Sequence, residues 1–182
     1  MIRVFLILFL LFPGYLYAQD VPPYDRNAFG RWFDKDRDCR DTRAEILIDE
    51  SLVPVVMDER GCRVISGMWI DYFTFEVLTD ASIIDIDHLV PVFEVWIRGA
   101  YAWTRAERVY FYNDRLNLVV THQSVNRSKG NKKPHQLEHL IANMCGFVIR
   151  WFEVKDRYQL SFDEEELHFI REKTMECMMN PN

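Results

Sequence analysis

The chain has 182 residues, of which 49% are hydrophobic and 14% aromatic. This composition supplies enough apolar side chains for a buried core and excludes an intrinsically disordered chain. The formal net charge of -6 argues against binding of nucleic acid through overall charge, because phosphate affinity comes mainly from Lys and Arg.

The N-terminal residues 1–18 have the pattern of a secretory signal peptide. Arg3 supplies a positive charge, an apolar run covers residues 4–12, and Ala18 is a small residue at a suitable cleavage point. The run is too short to span a bilayer, and an uncleaved N-terminal anchor is the alternative interpretation. We therefore predict a signal peptide at 1–18 and a single mature domain at 19–182. The mature protein is expected to be secreted or periplasmic, without stable membrane association.

The first half of the mature chain predicts a short helix followed by strands. A capping-box pattern opens a helix at 42–49. Apolar segments at 53–57 and 62–65 are separated by a turn and predict a hairpin. The aromatic-rich residues 67–78 predict a further strand with a turn.

Residues 83–88 have the alternating pattern of a half-buried strand. Two isoleucines fall on one face, and Asp85 and Asp87 fall on the other. This alternation predicts a strand with an acidic face. His88 reaches the same cavity as Asp87 only if the regular strand stops at that point, and the nearby Pro91 supports such a break.

The second half of the chain is predicted to be mainly helical. A strand at 117–121 is expected directly before a helix that carries Asn126 and Lys129. Further helices are expected at 92–98, 104–112, 134–158 and 163–178. Together these elements predict an α+β fold.

Four cysteines fall in the predicted mature chain: Cys39, Cys62, Cys145 and Cys177. An even number in an exported protein indicates two disulfides, for which three pairings exist on paper. We favour Cys39–Cys62 and Cys145–Cys177, because each pair is local and flanks its own structural unit. A zinc site made of all four thiolates is the competing interpretation, and the absence of a C-x-x-C pair weakens it.

The most informative residues combine an acid, an imidazole and an amide with nearby cations. Asp87 and Asn126 offer carboxylate and amide oxygens, which hard divalent cations prefer as ligands. A neutral imidazole at His88 accepts a proton from water near neutral pH. Arg127 and Lys129 belong to a basic run without acids and are suited to holding phosphate. Together, these side-chain groups are suited to cleavage of a phosphodiester bond.

The order of these motifs resembles the ββα-metal, or HNH, endonuclease family. The resemblance rests on Asp-Ile-Asp-His at 85–88, Asp-Arg-Leu-Asn-Leu at 114–118 and Asn-Arg-Ser-Lys-Gly at 126–130. These segments are similar to the HNH domain of CRISPR effectors and to the C-terminal nuclease domain of GmrSD-type restriction enzymes. The chain also resembles small exported bacterial HNH-family nucleases, which share the runs at 36–43, 61–64 and 87–91.

The resemblance implies a ββα-metal (HNH) core with an N-terminal hairpin and C-terminal helices. It implies that His88 is the general base and that Asn117, the middle residue of the motif, is also catalytic. Asp87 and Asn126 would hold a divalent metal, Mg²⁺ in the first place and Mn²⁺ or another divalent ion otherwise. DNA is the favoured substrate. Because few sequence-reading elements are visible, we expect a monomer that cleaves with weak specificity through phosphate contacts.

Two other functions remain open at this point. His135, Glu138 and His139 match H-x-x-E-H, the inverted zinc-protease motif, which needs a helix to bring both imidazoles one turn apart. A third zinc ligand would come from one of the glutamates at 164–166. The other alternative is a non-catalytic exported module, held together by disulfides, that binds a partner through its aromatic surface.

Overall fold

The computed structural model describes residues 21–180, so the predicted signal peptide lies outside the described residues. The helices are α1 (Thr42–Asp49), α2 (Val92–Ile97), α3 (Arg105–Tyr112), α4 (Gln123–Lys129), α5 (Met144–Arg157) and α6 (Glu164–Met179). The strands are β1 (Val56–Met57), β2 (Val64–Ile70), β3 (Val77–Asp80), β4 (Ile84–His88) and β5 (Leu118–His122). Helices combined with small antiparallel sheets confirm the predicted α+β class.

The first sheet is antiparallel, has the order β1-β2-β3, and packs against α1. The predicted hairpin is present, with Met57 of β1 opposite Val64 of β2. Trp69 of β2 is buried, and its Nε1 donates to the carbonyl of Leu47 in α1 at 2.8 Å. This bond holds α1 on the inner face of the sheet, where apolar residues of β4 and β5 complete the core.

Strands β4 and β5 form a second, two-stranded antiparallel sheet. The two isoleucines of β4 are buried while Asp85 and Asp87 remain partly exposed, as the alternating sequence predicts. The ladder extends to the last residue of β4, where His88 lies opposite Leu118. The strand stops at His88, as expected, but His88 still belongs to the ladder, so the expectation that its imidazole turns toward the cavity of Asp87 is wrong. Strand alternation places His88 on the buried face, opposite to Asp87.

Helix α4 follows β5 directly and packs on the aspartate-bearing face of β4. The imidazole of His122, at the end of β5, accepts a hydrogen bond from the Ser124 amide at 3.1 Å and so caps the helix. The two strands and this helix form a ββα unit, which is the arrangement that the motif order predicts.

The prediction of one long helix at 134–158 is wrong in its first part. Pro134–Gln136 forms a single 3-10 turn, and a non-helical segment separates it from α5. The amide of Ala142 in this segment donates to the carbonyl of Phe73 at 2.7 Å. The side chain of Asn143 then caps the start of α5. These contacts with other parts of the fold end any continuous helix.

Both favoured disulfides are present, Cys39–Cys62 and Cys145–Cys177. The first joins the segment before α1 to the turn before β2, and the second joins α5 to α6. All four sulfurs are thereby used, which excludes the alternative of a four-thiolate zinc site. Within residues 21–180, no helix has the length and apolar character needed to cross a bilayer.

Candidate active site

Helix α4 covers the acidic face of β4 through two side-chain pairs. Asn126 donates from Nδ2 to Oδ2 of Asp85 at 3.0 Å, and Nζ of Lys129 lies 2.7 Å from Oδ2 of Asp87. Positions i and i+3 of a helix share a face, as do positions i and i+2 of a strand, so the two pairs form side by side. The predicted metal ligands, Asp87 and Asn126, therefore lie on facing elements of one ββα unit.

The carboxylate of Asp87 is largely enclosed, with 12% of the side chain exposed. Its Oδ2 is buried and lies against the Lys129 ammonium at 2.7 Å. Burial raises the pKa of the Asp87 carboxyl, and the charge of Lys129 opposes part of that shift. The Asp87 carboxylate and the Asn126 amide on the facing helix together form a donor set that a hard cation can use.

The imidazole of His88 is enclosed by aromatic rings, and the residue is 5% exposed. The ring stacks on Trp32 with centroids 5.4 Å apart and also packs against Phe111 and Tyr112. Nε2 lies 2.9 Å from the carbonyl oxygen of Tyr112. A carbonyl only accepts, so Nε2 carries the proton and Nδ1 carries the lone pair. Burial lowers the pKa of His88 to about 3, which keeps the ring neutral at physiological pH.

Asn117 is fully buried, and its side-chain amide is used within the fold. Its Oδ1 accepts from the amide of Val90 at 2.8 Å, and its Nδ2 donates to the carbonyl of Val90 at 3.0 Å. The main-chain carbonyl of Asn117 also accepts from the amide of Leu89 at 2.8 Å. Because the Asn117 side chain is enclosed and cannot contact a substrate, it does not have the direct catalytic role that we predicted. It fixes the turn that follows His88.

The two predicted phosphate-binding residues lie in different environments. Arg127 is exposed and donates to Oε1 of Gln123 at 2.8 Å, so its guanidinium is accessible from solvent. Lys129 is 0% exposed and donates to the carbonyl of His88 at 2.9 Å. An enclosed ammonium cannot contact a phosphate, so the prediction that Lys129 binds phosphate is corrected.

The H-x-x-E-H motif lacks the helix on which a zinc site depends. His135 lies in the 3-10 turn, and Glu138 and His139 follow it in an exposed non-helical segment. Glu138 pairs with Lys173 at 2.7 Å, and Nε2 of His135 lies 3.6 Å from Glu165. The zinc-protease interpretation is therefore wrong, because no helical turn brings the two imidazoles together.

Two other clusters of carboxylates occur within the described part of the chain: Asp34 with Asp36 and Asp38, and Glu94 with Asp163 and Glu166. In the first cluster, the carboxylate of Asp34 already accepts hydrogen bonds from backbone amides of its own loop. In the second, Arg98, Lys133 and Lys155 provide counter-charges. Neither cluster includes Asp87, so the ββα unit is a separate candidate site.

Comparison with known proteins gives the family. Residues 58–173 match the family described as the C-terminal domain of GmrSD restriction endonucleases. The chain belongs to this family. The GmrSD C-terminal family is an HNH-like nuclease family, and all motif residues from Asp85 to Lys129 fall within the matched segment. Such nucleases act on nucleic acid and generally use a divalent metal.

The chain is also similar to an uncharacterized secreted protein of the fungus Arthroderma benhamiae. The two are 32% identical over 146 residues, which cover 79% of this chain and 70% of the relative. No solved structure matches the chain. The comparisons support the GmrSD C-terminal family, and they leave the expected grouping with bacterial proteins without support.

The groups that surround His88 could not be predicted from the motif residues. Its hydrogen-bond partner is a main-chain carbonyl, for which a sequence carries no signal. Its stacking partner, Trp32, precedes the segment matched to the GmrSD C-terminal family, which begins at residue 58. The part of the chain before the family segment therefore contributes one wall of the candidate site.

Proposed function

We propose that the mature chain, residues 19–182, is an HNH-type endonuclease that hydrolyses phosphodiester bonds of DNA with a divalent metal and weak sequence specificity. The observation that carries this proposal is the ββα unit. In it, Asp87 and His88 are the last residues of β4, and α4 returns Asn126 to the same strand. Membership of an HNH-like nuclease family supports the proposal independently.

Asp87 and Asn126 would hold the ion, and their oxygens fit Mg²⁺ or Mn²⁺. The Oδ2 of Asp87 is paired with the Lys129 ammonium, which leaves Oδ1 of the carboxylate for a ligand bond. The Nδ2 of Asn126 is held by Asp85, which leaves Oδ1 of the amide for a ligand bond. When bound, the ion would stabilise negative charge on the phosphate and on the departing 3′ oxygen.

His88 is the general base in this proposal. Because Nε2 donates to the carbonyl of Tyr112, Nδ1 is the nitrogen that accepts a proton from the attacking water. The lowered pKa keeps the imidazole neutral across the physiological range, and it also makes the enclosed ring a weak proton acceptor. Only 5% of the residue is exposed, and the imidazole lies on the face of β4 opposite to Asp87, so this role requires the aromatic wall to open when metal and DNA bind.

Exposed cations near Asn126 would contact the DNA backbone. Arg127 lies beside it on α4, and Lys132 follows in the next loop, where its ammonium donates to the carbonyl of Ser128 at 2.6 Å. Both side chains are exposed, and backbone contacts of this kind position DNA without reading its sequence. This local positive charge offsets the overall net charge of -6.

The protein is secreted or periplasmic. Both disulfides are formed, as is typical of proteins in oxidising compartments. The similar protein of Arthroderma benhamiae is itself described as secreted. We take the monomer as the working unit, and sedimentation of the purified mature protein measures its mass in solution.

The deciding experiment is cleavage of supercoiled plasmid by the mature protein in a series of divalent metals and in EDTA. Nicking is expected with Mg²⁺ or Mn²⁺ and not in EDTA. His88→Ala should slow cleavage by about 100-fold or more, which is the usual contribution of a general base. Asp87→Ala and Asn126→Ala should raise the metal concentration needed for half-maximal rate.

His168→Ala is the matched control for these variants. The His168 side chain is 74% exposed and pairs with Glu172 on the same helix, so its loss should leave the cleavage rate unchanged. Cleavage by folded His88→Ala at the wild-type rate would show that His88 is not the general base. Cleavage in EDTA would show that the reaction does not need a metal.

The enclosure of His88 favours a second candidate, a non-catalytic exported module. In that case the imidazole is a buried core group, and Trp32 and Tyr112 are its packing partners. This candidate predicts no plasmid nicking under any metal. His88→Ala would then lower the melting temperature without a change in any activity.

A further inference from the structure

A fully buried lysine lies directly behind the proposed metal ligand. Lys129 is 0% exposed, and its Nζ is 2.7 Å from Oδ2 of Asp87 and 2.9 Å from the carbonyl oxygen of His88. The ammonium also lies 5.8 Å from the centre of the Phe73 ring, over its face. Lysine is almost never fully buried unless it is paired, so these contacts account for its position.

The pairing fixes which part of Asp87 faces an ion. Oδ2 is enclosed and lies against the ammonium, so Oδ1 is the oxygen that remains for a metal. Lys129 is three positions after Asn126 on α4, on the same helical face. The helix that delivers the amide ligand therefore also delivers a positive charge to the carboxylate ligand.

We propose that Lys129 is the resident counter-cation of Asp87, which neutralises this carboxylate in the metal-free protein and opposes binding of a divalent ion. The inference rests on the proposed function, since it concerns the same metal site. Its consequence is a weak site, loaded at the millimolar divalent concentrations found outside cells, where low-affinity cation sites are common.

Lys129 has two opposite effects on metal affinity: it orients the Asp87 ligand, and its charge repels the ion. The larger effect decides whether removal of Lys129 weakens or strengthens metal binding. Loss of a group that orients a metal ligand typically weakens binding by about 10- to 100-fold. The repulsion between an ammonium and a divalent ion on one carboxylate is larger than this, because the pair is enclosed and screened little by water. Removal of the charge should therefore strengthen metal binding.

The test is Mn²⁺ binding by isothermal titration calorimetry, without DNA, for the wild-type mature protein and for Lys129→Met. Methionine has a similar length and no charge, and we expect it to bind Mn²⁺ about tenfold more tightly or better. Lys132→Met is the matched control, because it removes an exposed charge from the loop after the same helix. This control should leave Mn²⁺ affinity unchanged.

DNA binding in EDTA separates this role from a phosphate contact. Lys129→Met should leave DNA affinity and its salt dependence unchanged, since the ammonium is enclosed. Lys132→Met should lower the slope of log affinity against log salt by about one. A phosphate contact by Lys129 would instead give both variants the same loss, which would overturn the inference.

A measurement on the wild-type protein covers the case in which Lys129→Met does not fold. The ¹⁵N resonance of the Lys129 ammonium, identified by its proximity to the Phe73 ring, should shift during a Mg²⁺ titration. Its midpoint should match that of a Mg²⁺ titration of the same protein by calorimetry, and Asp87→Asn should abolish the shift. A resonance that stays fixed while Mg²⁺ binds contradicts the inference.

Failure of the inference and failure of the proposed function give different results. If the wild-type protein binds no Mn²⁺ at all, the proposed metal site is wrong. If it binds Mn²⁺, loses binding in Asp87→Asn, and folded Lys129→Met binds no more tightly, only the counter-cation role is wrong.

Discussion

The chemistry of His88 is set by groups that do not belong to the motif. The carbonyl of Tyr112 fixes the tautomer, and Trp32 and Phe111 exclude water from the ring. A solvent-exposed histidine gains a proton near pH 6.5, whereas burial lowers the pKa of His88 to about 3. The same enclosure that keeps the base neutral therefore links its protonation to unfolding.

This linkage predicts a pH-dependent stability for the metal-free protein in EDTA. The unfolded chain binds a proton at His88 below its ordinary pKa of 6.5, while the folded protein does so only near pH 3. Stability is therefore lost as the pH falls between these two values. From pH 6 to pH 4, the loss due to His88 is about 2 kcal/mol.

Urea unfolding of the wild-type protein and of His88→Asn over that pH range measures this contribution. Paired carboxylates also affect the slope, so the informative quantity is the difference between the two proteins at each pH. The wild-type protein should lose stability faster than the variant as the pH falls. Parallel curves would mean that water reaches the ring in the folded state.

At the scale of elements, short local signals predicted the strands and helices that build the site. Alternation predicted β4, and a capping box predicted α3, where Thr104 and Glu107 cap as expected. The helix predicted at 42–49 has those bounds, although Asp41 rather than Thr42 provides the cap. The error at 134–158 arose because the hydrogen bond between Ala142 and Phe73 joins residues far apart in sequence.

The candidate site was predictable in its residue types and order, and not in the roles of its buried members. Asp87, Asn126 and the sequence of strand, strand and helix follow from local patterns. The enclosure of Lys129 depends on how closely α4 packs on β4, which charge counting cannot show. Asn117 likewise occupies a motif position in the sequence. Only the fold shows that both ends of its side-chain amide are hydrogen-bonded to the main chain of Val90.

A buried ion cluster joins α2, α5 and α6, and it predicts a large effect for one lysine. Lys155 is fully buried and lies 2.7 Å from Glu166 and 3.2 Å from Glu94. Nε1 of Trp151 also donates to Glu166 at 2.5 Å. Lys155→Met leaves the enclosed carboxylate of Glu166 without its cation, while Glu94 keeps its pair with Arg98, and should lower the free energy of unfolding by about 3–5 kcal/mol.

Lys173→Met is the matched control, because Lys173 also pairs with two acids, Glu138 and Glu176, but at the surface. Its loss should change the free energy of unfolding by no more than about 1 kcal/mol. Chemical denaturation of both variants gives the comparison. Equal effects would show that the cluster around Lys155 is hydrated and not enclosed.

At the scale of the whole molecule, the two disulfides hold different parts of the fold. Cys39–Cys62 lies beside the first sheet, whereas Cys145–Cys177 links the start of α5 to the end of α6. The buried residues likewise form two clusters, one around the first sheet and one between the helices. Each disulfide is therefore associated with its own part of the core, and the two should act independently.

The loop lengths predict how much each disulfide contributes. The sequence separations are 23 and 32 residues, and in the chain-entropy model loops of this size contribute about 3–4 kcal/mol each. Replacement of either pair by serines should lower the free energy of unfolding by that amount, and replacement of both should give the sum. Urea unfolding of the three variants at one pH measures these effects. A double replacement that costs much less than the sum would show that the two parts of the core are coupled. Nicking activity separates the effect on stability from an effect on the site, since neither disulfide involves Asp87 or His88. Each single-pair variant that remains folded should therefore cut plasmid at the wild-type rate at low temperature.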